Sequence, residues 1–153
     1  MARAQAERQA TAVWEGSLLE GSGRVTADTT GVFKDQAITW KARTEAANGK
    51  TSPEELVAAA HASCYAMAFS HALAQAGNPA DQLEVTATVG FHPKAGGGGF
   101  EITYSNLDVL GRVPGLDQAA FEQAAREGEQ GCPVSNALRN NVQINLNATL
   151  ESA

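Results

Sequence analysis

The stretch TSPEELVAAAHASCYAMAFS, residues 51–70, decides the fold of this chain. Ser52 can cap a helix, Pro53 suits a first helical position, and Glu55 follows Ser52 at the spacing of a capping box. No charged residue comes after Glu55 until the helix is stopped by Gly77-Asn78-Pro79. The sequence therefore predicts one long helix of about 24 residues, spanning roughly 36 Å.

This predicted helix is apolar on every side. Its large apolar residues are distributed around the whole circumference: Leu56, Val57, Tyr65, Met67, Phe69 and Leu73. A helix of this kind is buried all round in a soluble protein. His61, Ser63 and Gln75 dilute the run, and alanine is only weakly apolar, so we predict a buried core helix rather than a membrane span.

Composition limits the classes of function. The chain has 153 residues with 11 basic and 17 acidic side chains, a net charge of -6. This length predicts a single domain over residues 1–153, with residues 1–9 polar and flexible. The acidic balance argues against nucleic acid and membrane partners, because no basic face is available. Two cysteines without an export signal predict a cytoplasmic location.

The remaining pattern predicts an α+β fold. Alternation and turn residues place strands at 11–16, 23–28, 36–44, 83–91, 100–113 and 142–150, and helices at 118–129 and 133–138. The order is βββ-α-ββ-αα-β, which is typical of antiparallel hairpins rather than of alternating βαβ units. Arg43 has the opposite parity from Ile38 and Trp40, so we expect it on the other face of its strand.

The central helix poses a problem of coverage, because a sheet covers only one side of a helix. A second copy of the chain solves it if two long helices pack together inside two shared sheets. We therefore predict an intertwined homodimer, with two antiparallel sheets around two long central helices.

Two cysteines are candidates for chemistry. Cys64, in the middle of the helix, is either a small apolar core residue or a nucleophile. Cys132 precedes Pro133 and so takes the capping position of a short helix, where backbone N–H groups and the helix dipole stabilise a thiolate. From these arguments alone, Cys132 is the more acidic thiol.

The histidines give weaker signals. His61 lies three residues before Cys64 on the same helix face, which fits either a Cys–His pair or a hydrogen-bonded core histidine. His71 and His92 have no ligand spacing with either cysteine, so we expect no metal site.

Arg43 and Glu54 complete the candidate set. A carboxylate can fix a guanidinium group, which in turn stabilises a thiolate and a developing anionic oxygen. Glu54 and Cys64, however, are ten residues apart on one helix, or about 15 Å along its axis. If they share a site, Glu54 comes from the other subunit, and Arg43 could accompany it.

Segments 51–64 and 127–138 together resemble the OsmC/Ohr family of organic hydroperoxide reductases. Trp14-Glu-Gly16 and Arg43-Thr44 fit this resemblance as well, and His61 with the position of Arg43 is more similar to the OsmC branch.

The resemblance implies a thiol-dependent peroxidase that reduces organic hydroperoxides, and hydrogen peroxide less well. Cys64 would be the peroxidatic nucleophile, Cys132 the resolving thiol, and Arg43 and Glu54 the residues that activate Cys64. It also implies an intertwined dimer, no metal, haem or flavin cofactor, and an external dithiol or a lipoylated protein as reductant. For Cys64 rather than Cys132 to be the attacking thiol, the full charge of Arg43 must outweigh the helix dipole at Cys132.

Two alternatives remain open at this point. One is a redox-silent relative that binds an apolar ligand, and the other is a redox sensor whose disulfide is the signal.

Overall fold

A computed structural model describes residues 2–151, which form two compact units that meet in sequence between Pro53 and Glu54. The first contains β1 (Ala10–Glu15), β2 (Ser22–Ala27), β3 (Gln36–Ile38) and α1 (Trp40–Thr44). The second contains α2 (Pro53–Gln75, which begins one residue before the unit), β4 (Gln82–Pro93), β5 (Phe100–Arg112), α3 (Gln118–Gln130), α4 (Pro133–Leu138) and β6 (Gln143–Leu150). The α+β class and the predicted order are confirmed, with α1 as an added element.

The first unit is an open antiparallel sheet in the order β1-β2-β3. Every residue of β1 is exposed, and Val25 on β2 is the buried apolar residue among those described in this unit. Residues 2–9, predicted to be flexible, form no helix or strand, although Gln9 is hydrogen bonded to Asp28 and Thr29. Met1 and the predicted domain end at residue 153 lie outside the described residues.

The predicted strand 36–44 was too long. It ends at Ile38, and Thr39 then caps α1, with its side-chain oxygen accepting the Ala42 N–H at 3.1 Å. Arg43 therefore lies on a helical turn, not on a strand. A threonine satisfies the β pattern and a helix cap equally well, so alternation alone did not reveal this change.

Helix α2 confirms the predicted long helix but not its burial on all sides. In the single chain one face is buried, formed by His61, Tyr65, Phe69 and Leu73, whereas Met67 is 68% exposed. By length and composition α2 could also cross a membrane, a criterion that core helices of soluble proteins meet as well. Within residues 2–151, the other faces of α2 are therefore less buried than their apolar character predicts.

The second sheet has the order β4-β5-β6 and is mixed. β4 and β5 form the predicted antiparallel hairpin, with a bulge between Gly90 and Phe91. β6 pairs in parallel with β5, from Tyr104↔Gln143 to Gly111↔Leu150. The prediction of two purely antiparallel sheets was therefore wrong for β6. A parallel pair needs a crossover connection, and α3 with α4 supplies it.

Helices α3 and α4 return the chain over α2. Asp117 caps α3 as predicted, accepting the Ala120 N–H at 2.8 Å. At Gly128 a Cβ atom would lie 3.0 Å from the Phe69 Cα. Glycine is therefore needed for the close approach of α3 to α2, which fixes where the turn between α3 and α4 begins.

Candidate active site

The two cysteines lie together in the second unit. Cys64 on α2 is half-buried, Cys132 is fully buried, and both are free thiols. Both belong to the same packed cluster, and the Cys132 side chain is a hydrogen-bonding neighbour of the Cys64 thiol. Residues 68 positions apart in sequence thus lie close enough for their side chains to interact.

The start of helix α4 contacts both cysteines. Cys132 is its N-cap, as predicted, and its sulfur accepts the Ser135 N–H at 3.4 Å. Pro133 has no N–H group, and the next residue, Val134, donates its backbone N–H to Cys64. The backbone N–H groups of the first turn of α4 have no partners within the helix, and they therefore bind both thiols.

The second unit alone does not activate Cys64. Burial raises the pKa of the Cys64 thiol, as does the neighbouring Cys132, whereas the hydrogen bond from Val134 lowers it with a smaller effect. Desolvation disfavours the charged form of a thiol. The groups of this unit therefore favour the protonated thiol at Cys64.

His61 is fully buried and joins three elements. Its Nδ1 lies 2.6 Å from the Ser105 Oγ on β5, and its Nε2 lies 2.7 Å from the Ser135 Oγ on α4. Burial lowers the pKa of His61, against an opposing effect of the negative charge on Glu129. The ring is therefore neutral at pH 7, with one nitrogen donating and the other accepting. Both nitrogens bind serine rather than Cys64, so the hydrogen-bonded core histidine is the arrangement found.

Sequence reasoning missed both serines. Ser105 has the same parity as Leu107 and Val109, so it lies on the inward face of β5 and is fully buried. A polar residue at a core position needs a partner, and this was the available signal. Ser135 lies in the first turn of α4, where it could equally have been a solvent-facing residue.

A buried ion pair, also missed, ties α3 to the end of α4. The side chain of Glu129 is 8% exposed, and its Oε1 lies 2.8 Å from a guanidinium nitrogen of Arg139. Gln130 donates to the other carboxylate oxygen at 3.0 Å. Glu129 precedes the turn that carries Cys132 and Arg139 follows α4, so this ion pair fixes the chain on either side of Cys132.

The structure does not bring Glu54 and Cys64 of one chain together. Glu54 is buried in the first turn of α2, and Cys64 lies ten residues further along the same unbroken helix, a separation of about 15 Å. Arg43 belongs to the first unit, where its guanidinium carbon lies 5.8 Å from the centre of the Trp40 ring, within cation–π range. The roles predicted for Glu54 and Arg43 remain predictions.

Cavities and metal-ligand clusters give no competing site. A groove of about 570 Å³ lies between α3 and β6, beside Glu129 and Gln130, and neither cysteine lines it. Within residues 2–151, no group of three His, Cys, Asp or Glu side chains could hold a metal ion. The candidate site is therefore built around the two sulfur atoms.

The chain is similar in sequence and in fold to proteins of a known family. The profile of the OsmC-like protein family matches residues 46–147. Peroxiredoxin OsmC of Escherichia coli (strain K12) is 36% identical over 145 residues, covering 95% of this chain and 97% of that protein. The organic hydroperoxide resistance protein of Xanthomonas axonopodis pv. citri (strain 306) is 33% identical over 100 residues, covering 63% of this chain and 65% of that protein.

A solved structure shows the same fold. The crystal structure of the organic hydroperoxide resistance protein OhrB of Bacillus subtilis matches with a TM-score of 0.71 at 26% identity, covering 92% of this chain and 98% of that chain. The resemblance seen in the two cysteine motifs is thereby confirmed over nearly the whole length. This chain belongs to the OsmC-like protein family.

Proposed function

We propose that this chain is a thiol-dependent peroxidase that reduces organic hydroperoxides to alcohols, and hydrogen peroxide less well. The observation that carries the proposal is the contact between two reduced thiols at the start of α4. The names of the relatives, a peroxiredoxin and organic hydroperoxide resistance proteins, support it.

The reaction begins at Cys64. Its thiolate attacks the outer oxygen of the hydroperoxide, the O–O bond breaks, and the alkoxide takes up a proton and leaves as the alcohol. Cys64 is then a sulfenic acid. The thiol of Cys132 attacks the Cys64 sulfur, the S–O bond breaks, and the hydroxyl leaves with the thiol proton as water. A dithiol finally reduces the Cys64–Cys132 disulfide by exchange.

Arg43 and Glu54 supply the missing activation in this proposal. A guanidinium group near Cys64 offsets the effect of burial on the thiol and binds the departing oxygen, and the Glu54 carboxylate orients that guanidinium group. Because Glu54 and Cys64 of one chain are separated along α2, the carboxylate acts across a dimer interface.

The partner is a second copy of the chain. The uncovered face of α2, with Met67 68% exposed, supports this proposal. The connections between strands of the first unit support it as well, because Leu19 is 70% and Val32 is 78% exposed there. We place the dimer in the cytoplasm of a bacterium, because a pair of cysteines distant in sequence is more often catalytic than structural there and the relatives are bacterial proteins. An external dithiol or a lipoylated protein is the reductant, and no metal or other cofactor takes part.

The test follows peroxide consumption with dithiothreitol as reductant. We expect the wild type to reduce tert-butyl hydroperoxide faster than hydrogen peroxide, because the surroundings of Cys64 are apolar. Cys64→Ser should fall to the uncatalysed rate, whereas Cys132→Ser should accumulate a sulfenic acid on Cys64, detected by mass spectrometry after one equivalent of peroxide.

Ser63→Ala is the matched control. Ser63 is exposed beside Cys64, and its hydroxyl donates to the carbonyl groups of Ala59 and Ala60 in its own helix. This variant should turn over normally. Full activity of Cys64→Ser would refute the proposal. A wild type that forms the disulfide with one equivalent of peroxide but does not turn over with dithiothreitol would indicate a sensor, and thiols that peroxide does not oxidise would indicate the ligand-binding relative.

A further inference from the structure

The buried hydrogen-bonded side chains Ser105, His61 and Ser135 take no part in the reaction steps above. All three side chains are fully buried, and they come from β5, α2 and α4. The two hydrogen bonds of 2.6 and 2.7 Å occupy both nitrogens of the imidazole ring. This arrangement links the short helix that carries Cys132 directly to the long helix that carries Cys64.

Helix α4 is the shortest of the three elements that this link joins. It has only six residues, and Ser135 is the buried residue among them. A helix of less than two turns does not hold its own conformation in water, because nucleation is unfavourable. Its position is therefore set by what its side chains bind, and at its first turn that is His61.

Movement of Ser135 would reach Cys132 at once. The N–H of Ser135 is the group that binds the Cys132 sulfur, and its hydroxyl is the group that binds His61. One residue thus couples the imidazole to the thiol through two bonds of its own. Loss of the imidazole bond removes the buried hydrogen bond of this turn, while the Glu129–Arg139 pair still holds its flanks.

We infer that His61 is a positioning residue for the resolving step: by holding Ser135, it keeps the first turn of α4, and with it Cys132, in place to attack the oxidised Cys64. This inference rests on the proposed peroxidase function. In the step concerned, the Cys132 sulfur forms a bond with the Cys64 sulfur, the S–O bond of the sulfenic acid breaks, and water leaves with the Cys132 proton.

The peroxide step depends far less on this link. Cys64 lies in a helix of 23 residues that is held by its own buried residues Tyr65, Phe69 and Leu73. Val134 lowers the pKa of the Cys64 thiol against the larger effect of burial, so displacement of α4 removes one of several influences on this thiol, whereas it moves Cys132 itself. The inference therefore predicts a selective loss in the second step.

Two variants of the histidine separate its two bonds. The amide nitrogen of glutamine can take the place of Nε2, and that of asparagine the place of Nδ1. His61→Gln therefore retains the partner Ser135, whereas His61→Asn retains Ser105 and loses Ser135. The two variants are matched in burial and in the loss of the imidazole ring.

The experiment mixes reduced protein with one equivalent of tert-butyl hydroperoxide and quenches samples over time. Mass spectrometry with a sulfenic-acid trap measures oxidation of Cys64 and closure of the disulfide separately. We expect His61→Asn to close the disulfide about tenfold more slowly, equivalent to about 1.4 kcal/mol, while oxidation of Cys64 changes by no more than about threefold. With excess peroxide it should also accumulate more sulfinic acid. His61→Gln should remain near the wild type.

Ser135→Ala provides a second variant that removes the same bond and only one oxygen atom, should His61→Asn fail to fold. Disulfide closure at the wild-type rate in Ser135→Ala, or equal slowing of both steps in it, would overturn the inference. Closure induced by diamide, which needs no peroxide, distinguishes the two proposals. If the wild type ignores hydroperoxide, the peroxidase proposal fails, whereas unchanged diamide closure in Ser135→Ala overturns the role of His61.

Discussion

Helix α2 has two faces that both lack Asp, Glu, Lys and Arg after Glu55 but differ in environment. One face packs within the second unit through Tyr65, Phe69 and Leu73, which are no more than 1% exposed. The other contains Met67, 68% exposed, and small residues such as Ser63 and Ser70. The first face explains why the second unit folds. The exposed apolar residues of the second face support the association between chains that we propose.

The covered face offers the largest expected effect. The Phe69 ring lies 5.6 Å from the Tyr65 ring and 5.2 Å from the Phe121 ring. Phe69→Ala removes these contacts and leaves a cavity, so we expect the free energy of unfolding to fall by about 3–5 kcal/mol. Urea denaturation measures this change. Gln75→Ala, at the exposed end of the same helix, is the control and should lose less than about 0.5 kcal/mol. A loss below about 1 kcal/mol for Phe69→Ala would contradict the packing described.

The open face offers the second test. Met67→Glu places a carboxylate on this face, which is harmless in a monomer but costly in a buried dimer interface. We expect self-association to weaken by about 100-fold, or about 2.7 kcal/mol, with the helical content unchanged. Sedimentation velocity over a range of concentrations measures this effect. Met67→Leu should associate as the wild type does.

The same variant tests whether the site is shared. If Glu54 acts across the interface, peroxidase activity of Met67→Glu should decline together with dimer formation as the protein is diluted. A wild type that is monomeric at micromolar concentration and fully active would remove the dimer from the proposed function.

Local signals in the sequence predicted much of this molecule. The bounds of α2 followed from Pro53 and the stop after Gln75, and the capping position of Cys132 followed from Pro133. Both features depend on residues adjacent in the chain. For this reason periodicity and capping rules were sufficient to find them.

Features set by distant residues were less accessible. The parallel pairing of β6 depends on the path of α3 and α4, and alternation in β6 is the same for either direction. Ser105 and Ser135 come from different elements than His61, and the spacing of the three residues in the sequence does not predict their contact. The pairing of Cys64 with Cys132 was likewise implied by resemblance to a family, not by the spacing of the two residues.

Cys64 lies between the two faces, and its ionisation gives the last test. Because burial and Cys132 raise the pKa of the Cys64 thiol, the groups of the second unit favour the protonated form at neutral pH, and the thiolate appears only as the pH rises. The proposed guanidinium of Arg43 opposes this shift. Arg43→Ala should therefore move the pH profile of Cys64 alkylation to higher pH and slow alkylation at pH 7 by about tenfold.

Arg24→Ala is the control in the same unit, because Arg24 forms an exposed ion pair with Asp35 at 3.7 Å. Mass spectrometry of Cys64 labelled with iodoacetamide gives both profiles. If the pH profile of Arg43→Ala coincides with that of Arg24→Ala, Arg43 does not ionise Cys64, and a different cation does so.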